Sequence, residues 1–252
     1  MAAAENDAPD GHVAKAQEFY DTEAQRYEAL RYQSRAGRRQ HQLHCRILEE
    51  ELFRHVPSSG RVLEIGCGTG RFLRAFSTTG PALFGIDVSA GMLGEFLRRQ
   101  AEEAPDQTAA VSLANAHALP FPDNSFDGIY AIFVLNLMPE LDPVMAEIRR
   151  VLVPGGHCVF NLPNLSSLYG PGGAYVNAVK HSVGRNASGF RFSRWYTRAQ
   201  MLDLLRRHRL EFLNCRGQSK LADWTDRPAS LPGHSPYSWL CKSLFLTART
   251  AD

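Results

Sequence analysis

The chain has 252 residues, 44% of them apolar, enough to bury one substantial core, and single α/β domains of this size are ordinary. Its formal net charge of +2 is too small to argue for nucleic acid or a membrane as partner, and no apolar run approaches the roughly 20 residues of a membrane helix. Five scattered cysteines, Cys45, Cys67, Cys158, Cys215 and Cys241, form neither a disulfide framework nor a zinc spacing, which points to a reducing, cytoplasmic compartment.

Met1 to His12 is Ala-rich and acidic without an apolar core, so it is expected to be a disordered tail and not a signal peptide. Ala16 to Tyr27 places aromatic and small residues at helical spacing, and Leu43, Ile47, Leu48, Leu52 and Phe53 give the next helix an apolar stripe. His41, His44 and Cys45 lie on that helix. No second ligand cluster accompanies them, so they read as a solvated helical face and not a metal site.

Residues 62–72 form an apolar strand that runs into three glycines at alternate positions, Glu64-x-Gly66-x-Gly68-x-Gly70. A sharp turn that brings a ligand against the main chain needs glycine there. The dinucleotide fingerprint GxGxxG fits in neither frame: its third position falls on Arg71 or Leu73. A second apolar run ends at Asp87, 21 residues beyond Gly66, and Ser89 follows as N-cap of a helix. Asn115 to Tyr130 leads from a third strand into a fourth, opened by Phe126-Asp127. Asp142-Pro143 reads as N-cap and first helical residue, and Gly156 precedes a fifth strand, His157 to Leu162.

From Pro163 to Gly189 the chain is rich in Gly, Pro, Asn and Ser. A loop this long at the carboxyl end of a parallel strand is expected to line a substrate pocket, with a short helix at Ala174 to His181. Thr197 to Gln200 forms a capping box, and Arg206 to Arg209 puts cations at the helix C-terminus, where the dipole favours them. Strands are expected near Leu210 to Gln218 and Trp239 to Arg249. Trp195, Tyr196, Trp224 and Tyr237 are candidates for an aromatic substrate wall or for packing beneath it.

The glycine run, Asp87, the segment 115–130 and the helix end at Glu147 to Gly156 resemble, in order and spacing, the UbiE/COQ5-like branch of the class I S-adenosylmethionine-dependent methyltransferases. The resemblance spans residues 62–162. It implies an α/β fold, a Rossmann-like seven-stranded mostly parallel sheet of order 3-2-1-4-5-7-6 with helices on both faces. One domain over 13–252 would comprise a helical cap (13–56), a cofactor-binding half (57–162) and a substrate-side half (163–252). The cofactor implied is S-adenosyl-L-methionine, held by Glu64, Gly66, Cys67, Gly68, Thr69, Gly70, Asp87, Val88, Asn115, Ala116 and Phe133. Tyr20 and Tyr27 fall at the tyrosine positions of a segment that closes over the methionine end, or else are core residues of the cap.

Two positions depart from the family pattern. Asn115 stands where an Asp is usual, though its amide oxygen remains an acceptor for adenine, and Asn136-Leu137 replaces a frequent His pair. The implied reaction is methyl transfer to a small-molecule O, N or C acceptor, achieved mainly by positioning. No catalytic residue is assigned; His117, His181, His234 and Asp223 are candidates by location alone, and His117 reads as a surface or adenine-edge residue before a catalytic one. A nucleic-acid methyltransferase and a non-catalytic cofactor-binding partner are the alternatives. Against the first, Asn136-Leu-Met-Pro139 lacks the paired prolines and the aromatic that grip a flipped base.

Overall fold

The computed structural model describes residues 9–78, 80–103, 109–167, 193–219, 230–232 and 240–251. Among these residues eight strands form one sheet: β1 (Arg61–Ile65), β2 (Ala82–Asp87), β3 (Ala110–Leu113), β4 (Phe126–Ala131), β5 (Leu152–Pro163), β6 (Leu210–Ser219), β7 (Ser230–Pro232) and β8 (Cys241–Thr250). The order is β3-β2-β1-β4-β5-β8-β6-β7. β1 to β5 pair in parallel, while β8 runs antiparallel to both β5 and β6. This is the expected 3-2-1-4-5-7-6 arrangement, a Rossmann-like α/β fold, with the three-residue β7 added antiparallel along Arg216 to Gln218 of β6.

Alternation along the strands divides the core into two layers. Leu63, Ile129, Phe160 and Leu246 face α6 (Asp142–Val151) and α7 (Arg198–Arg207). Val62, Tyr130, Val159 and Phe245 face α3 (Arg35–Glu51), α4 (Arg71–Phe76) and α5 (Ala90–Glu103).

The cap differs from expectation at three points. α1 (Pro9–Glu23) begins inside the stretch 1–12 expected as a tail, and His12 Nε2 sits 2.7 Å from the carbonyl of Leu137, in the 3-10 turn that follows β4. Ala16 to Tyr27 is not one helix: a 3-10 turn at Ala24–Arg26 separates α1 from α2 (Tyr27–Tyr32) around the buried Ala24. The His41/His44/Cys45 face is not solvated. His44 is 0% exposed between the Phe133 and Phe245 rings, and burial with the nearby Arg71 charge pushes its pKa down to about 3.

Caps fall largely where the sequence puts them. Ser89 Oγ accepts from Met92 N at 3.0 Å, and Thr197 and Gln200 form the reciprocal box at α7. Asp142 is the exception. It is the first residue of α6 and not its N-cap, and its carboxylate turns to Arg207 and His208 at the C-terminus of α7. The expected helix 174–181, together with His181, Asp223, Trp224, His234 and Tyr237, lies outside the described residues. Trp195 and Tyr196 are half-buried, and Tyr196 packs against the α6/α7 core layer.

Candidate functional site

At the carboxyl edge of β1, β2 and β4 the structure forms an open cavity lined by the cap, the glycine turn and the ends of these strands. Of the residues singled out by sequence, Tyr20, Tyr27, Gly66, Gly68, Asp87, Val88, Asn115, Ala116 and Phe133 line it. Glu64, Cys67, Thr69 and Gly70 do not. Each of these four builds the turn from behind.

Glu64 is 3% exposed, accepts from the Tyr130 hydroxyl at 3.0 Å, and burial pushes its pKa up to about 8. Cys67 is buried with its thiol directed at Gly85, and burial holds that thiol well above its usual pKa. Thr69 Oγ donates to Glu28 Oε1 at 2.7 Å. Gly70, at φ +73, lies so close to Phe96 that an added Cβ would fall 1.9 Å from Cδ2. The turn itself is anchored by Gly66 N and Cys67 N, which donate to the Ile86 carbonyl at 2.8 and 2.9 Å.

Asp87 closes the loop from the end of β2. One carboxylate oxygen accepts from Gly68 N at 2.8 Å and the other from Ser89 N at 2.9 Å. Burial raises its pKa, and the backbone N–H groups of Ser89, Gly68 and Val88 counter part of that rise. A carboxylate offers about four lone-pair sites, so an acceptor position remains for a ligand hydroxyl.

The opposite wall carries a residue at positive φ. Phe133, just past β4, has φ +61, and its N–H donates to Asn161 Oδ1 at 2.6 Å. Asn161 is 1% exposed on β5. Sequence reading passed over it; its one signal is a polar residue inside the apolar run of the fifth strand.

Asn115 does not present the oxygen expected of it. Its Oδ1 accepts from His117 N at 3.0 Å and lies 2.8 Å from His117 Nδ1. His117 also lines the cavity.

The cap covers the site through polar contacts that sequence reading also missed. Asp21 Oδ1 accepts from Ser89 Oγ at 2.5 Å and from Gly91 N at 2.8 Å, at the start of α5. Glu28 joins Thr69, Arg74 and Arg99 from α2. The Tyr20 and Tyr27 rings stand edge to face at 6.1 Å, and burial pushes the Tyr20 pKa up to about 12 and raises that of Tyr27, so both remain neutral phenols. Among the described residues no group of acidic, His and Cys side chains could hold a metal ion, and no helix is long and apolar enough to cross a membrane.

Residues 63–160 match the family model described as a methyltransferase domain. The demethylmenaquinone methyltransferase of Symbiobacterium thermophilum is 30% identical over 155 residues, 60% of this chain and 60% of that protein. The sterol 4-C-methyltransferase strm-1 of Caenorhabditis elegans is 36% identical over 115 residues, 45% of this chain and 33% of that protein. The match thus spans between a third and three fifths of these relatives' length. In fold, the chain resembles a SAM-dependent methyltransferase of Thermotoga maritima, with TM-score 0.65 at 17% identity, covering 93% of this chain and 99% of that one. Through residues 63–160 the chain thus matches a methyltransferase domain, and it shares its fold with the SAM-dependent methyltransferase of Thermotoga maritima.

Proposed function

We propose that this chain binds S-adenosyl-L-methionine in the cavity over the glycine turn and transfers its methyl group to a small-molecule acceptor. The observation that carries the reading is Gly68. It sits at φ +54 on the cavity wall, and among the described residues beyond its two chain neighbours an added Cβ would meet nothing nearer than Met92 Sδ at 4.0 Å. The space above it is therefore left by the fold, and Asp87 holds the Gly68 N–H in place beside it.

The cofactor supplies an electrophilic methyl on a sulfonium, so no protein nucleophile is required. The chain's task is to orient and to exclude water. Asp87 and Val88 are assigned to the ribose end, Asn115 and Ala116 to the base, and Gly66, Gly68, Phe133, Tyr20 and Tyr27 to the amino-acid end. Glu64, Cys67, Thr69 and Gly70 support the turn without reaching the ligand. A small acceptor in a biosynthetic reaction is supported by the near-neutral charge and by what the relatives' names say they methylate, and a cytoplasmic setting by the five scattered cysteines.

The test is calorimetric. S-adenosylhomocysteine is expected to bind with NAD ineffective, and methyl-labelled cofactor is expected to label a small molecule in cell extract. Tight NAD binding without response to S-adenosylhomocysteine would overturn the assignment.

A further inference from the structure

The base end of the cavity is wired differently from what an Asn in place of an Asp would suggest. The His117 backbone N–H is an unambiguous donor, so the Asn115 atom 3.0 Å away must be the oxygen and not the amide nitrogen. That oxygen also lies 2.8 Å from His117 Nδ1, which must then carry its proton. In the neutral ring the other nitrogen, Nε2, is left with a bare lone pair. It is a buried atom with no hydrogen-bond partner among the described residues, on a residue that lines the cavity.

With both lone pairs of Asn115 Oδ1 engaged, Asn115 has only its Nδ2 amide to offer a ligand, and that group donates. Adenine needs the reverse at its exocyclic amine, an acceptor. Resting on the cofactor reading above, we propose that His117 Nε2 is the acceptor for the adenine amine. Asn115 then acts as a positioning residue that fixes the His117 tautomer and offers its amide N–H to a ring nitrogen. The pair reads the amine edge jointly, and a base without the amine would leave Nε2 as a buried unpaired acceptor, a known source of discrimination.

The experiment compares S-adenosylhomocysteine with its analogue whose purine carries hydrogen in place of the amine, by calorimetry on the full chain. Wild type is expected to lose about three- to tenfold in affinity with the analogue, as for one net hydrogen bond. His117→Phe is expected to bind the two alike. Adding Asn115→Asp in that background returns a free carboxylate oxygen and is expected to restore the preference. Imidazole 15N shifts supply a readout independent of any variant: Nε2 should be the unprotonated nitrogen and should move on binding S-adenosylhomocysteine but not the analogue. Equal binding of both ligands by wild type, an undiminished preference in His117→Phe, or a protonated Nε2 would overturn the proposal while leaving the cofactor reading intact. Failure of wild type to bind either ligand would bring down both.

Discussion

Asn161 Oδ1 accepts from the Phe133 N–H at 2.6 Å and so fixes, from β5, the conformation of a residue at φ +61 on the cavity wall at the end of β4. A bulky L residue in that region stores strain and persists only where its surroundings hold it. Asn161→Leu removes the acceptor and leaves the Phe133 N–H without its partner, at a cost of about 1–3 kcal/mol. Urea unfolding is expected to show that loss, and S-adenosylhomocysteine is expected to bind more weakly, because Phe133 relaxes. Asn161→Asp keeps an acceptor and should recover part of both. An unchanged unfolding midpoint in Asn161→Leu would show that Phe133 holds its conformation unaided.

Glu64 makes stability depend on pH in a stated direction. Its pKa rises from 4.5 to about 8 in the folded protein, chiefly through burial, so the native state holds a proton that the unfolded chain releases. The associated stability is full below about pH 4.5 and is lost as pH rises through about 8, with a slope of at most about 1.4 kcal/mol per pH unit. His44 and His41, pushed down by burial to about 3 and about 4, act in the opposite sense and cost stability as pH falls below 6.5. Glu64→Gln keeps an acceptor for the Tyr130 hydroxyl and cannot titrate. The difference between wild type and Glu64→Gln therefore isolates Glu64, and it should narrow between pH 5 and 8 in favour of the variant. A pH-independent difference would mean that Glu64 is ionised in the folded state.

The parallel half of the fold was legible in sequence because each of its signals has a local cause. Glycines at alternate positions, Asp87 at a strand end and Ser89 as N-cap all follow from backbone geometry within a few residues. Asn161, Asp21 and Glu28 were not legible. Their partners lie 28 to 71 positions away in the chain, and nothing in a hydrophobic period marks a polar side chain that will reach across elements. Asn115 was read for its chemistry alone, and the structure spends its oxygen on a neighbour two residues on. His44 was misread because an amphipathic period counts histidine as polar, whereas here Phe72, Phe133 and Phe245 enclose it.

Glu28 is the hinge point between cap and turn. It joins α2 to Thr69 in the glycine turn, to Arg74 on α4 and to Arg99 on α5. Glu28→Ala is expected to free α2, so that amides of Tyr20 to Tyr32 exchange faster and, with Tyr20 and Tyr27 in the proposed ligand site, S-adenosylhomocysteine dissociates more quickly. The same amides in wild type should gain protection when S-adenosylhomocysteine binds. Exchange that is indifferent to both the substitution and the ligand would return the tyrosines to a plain packing role.

Gly66 and Gly68 share a positive φ but face different things, and substitution separates the two demands. At Gly66 an added Cβ would lie 2.5 Å from Val134 Cγ2, against a β-branched side chain with little rotamer freedom. Gly66→Ala therefore combines left-handed strain of about 1–2 kcal/mol with overpacking of about 1–3 kcal/mol, and should appear mainly as lost stability. Val134→Ala in the same chain should relieve the second part. At Gly68 the new methyl meets, among the described residues beyond its chain neighbours, only Met92 Sδ at 4.0 Å, so the cost to folding is the strain. The methyl instead enters the space assigned to the ligand, where the backbone must approach closely. Gly68→Ala is expected to unfold within about 2 kcal/mol of wild type yet to lose at least tenfold in affinity for S-adenosylhomocysteine. Thermal melts and calorimetry on the two variants decide the matter. Undiminished binding by Gly68→Ala would place the ligand away from the turn, and a stability loss equal to that of Gly66→Ala would mean that the space above Gly68 is closed by protein.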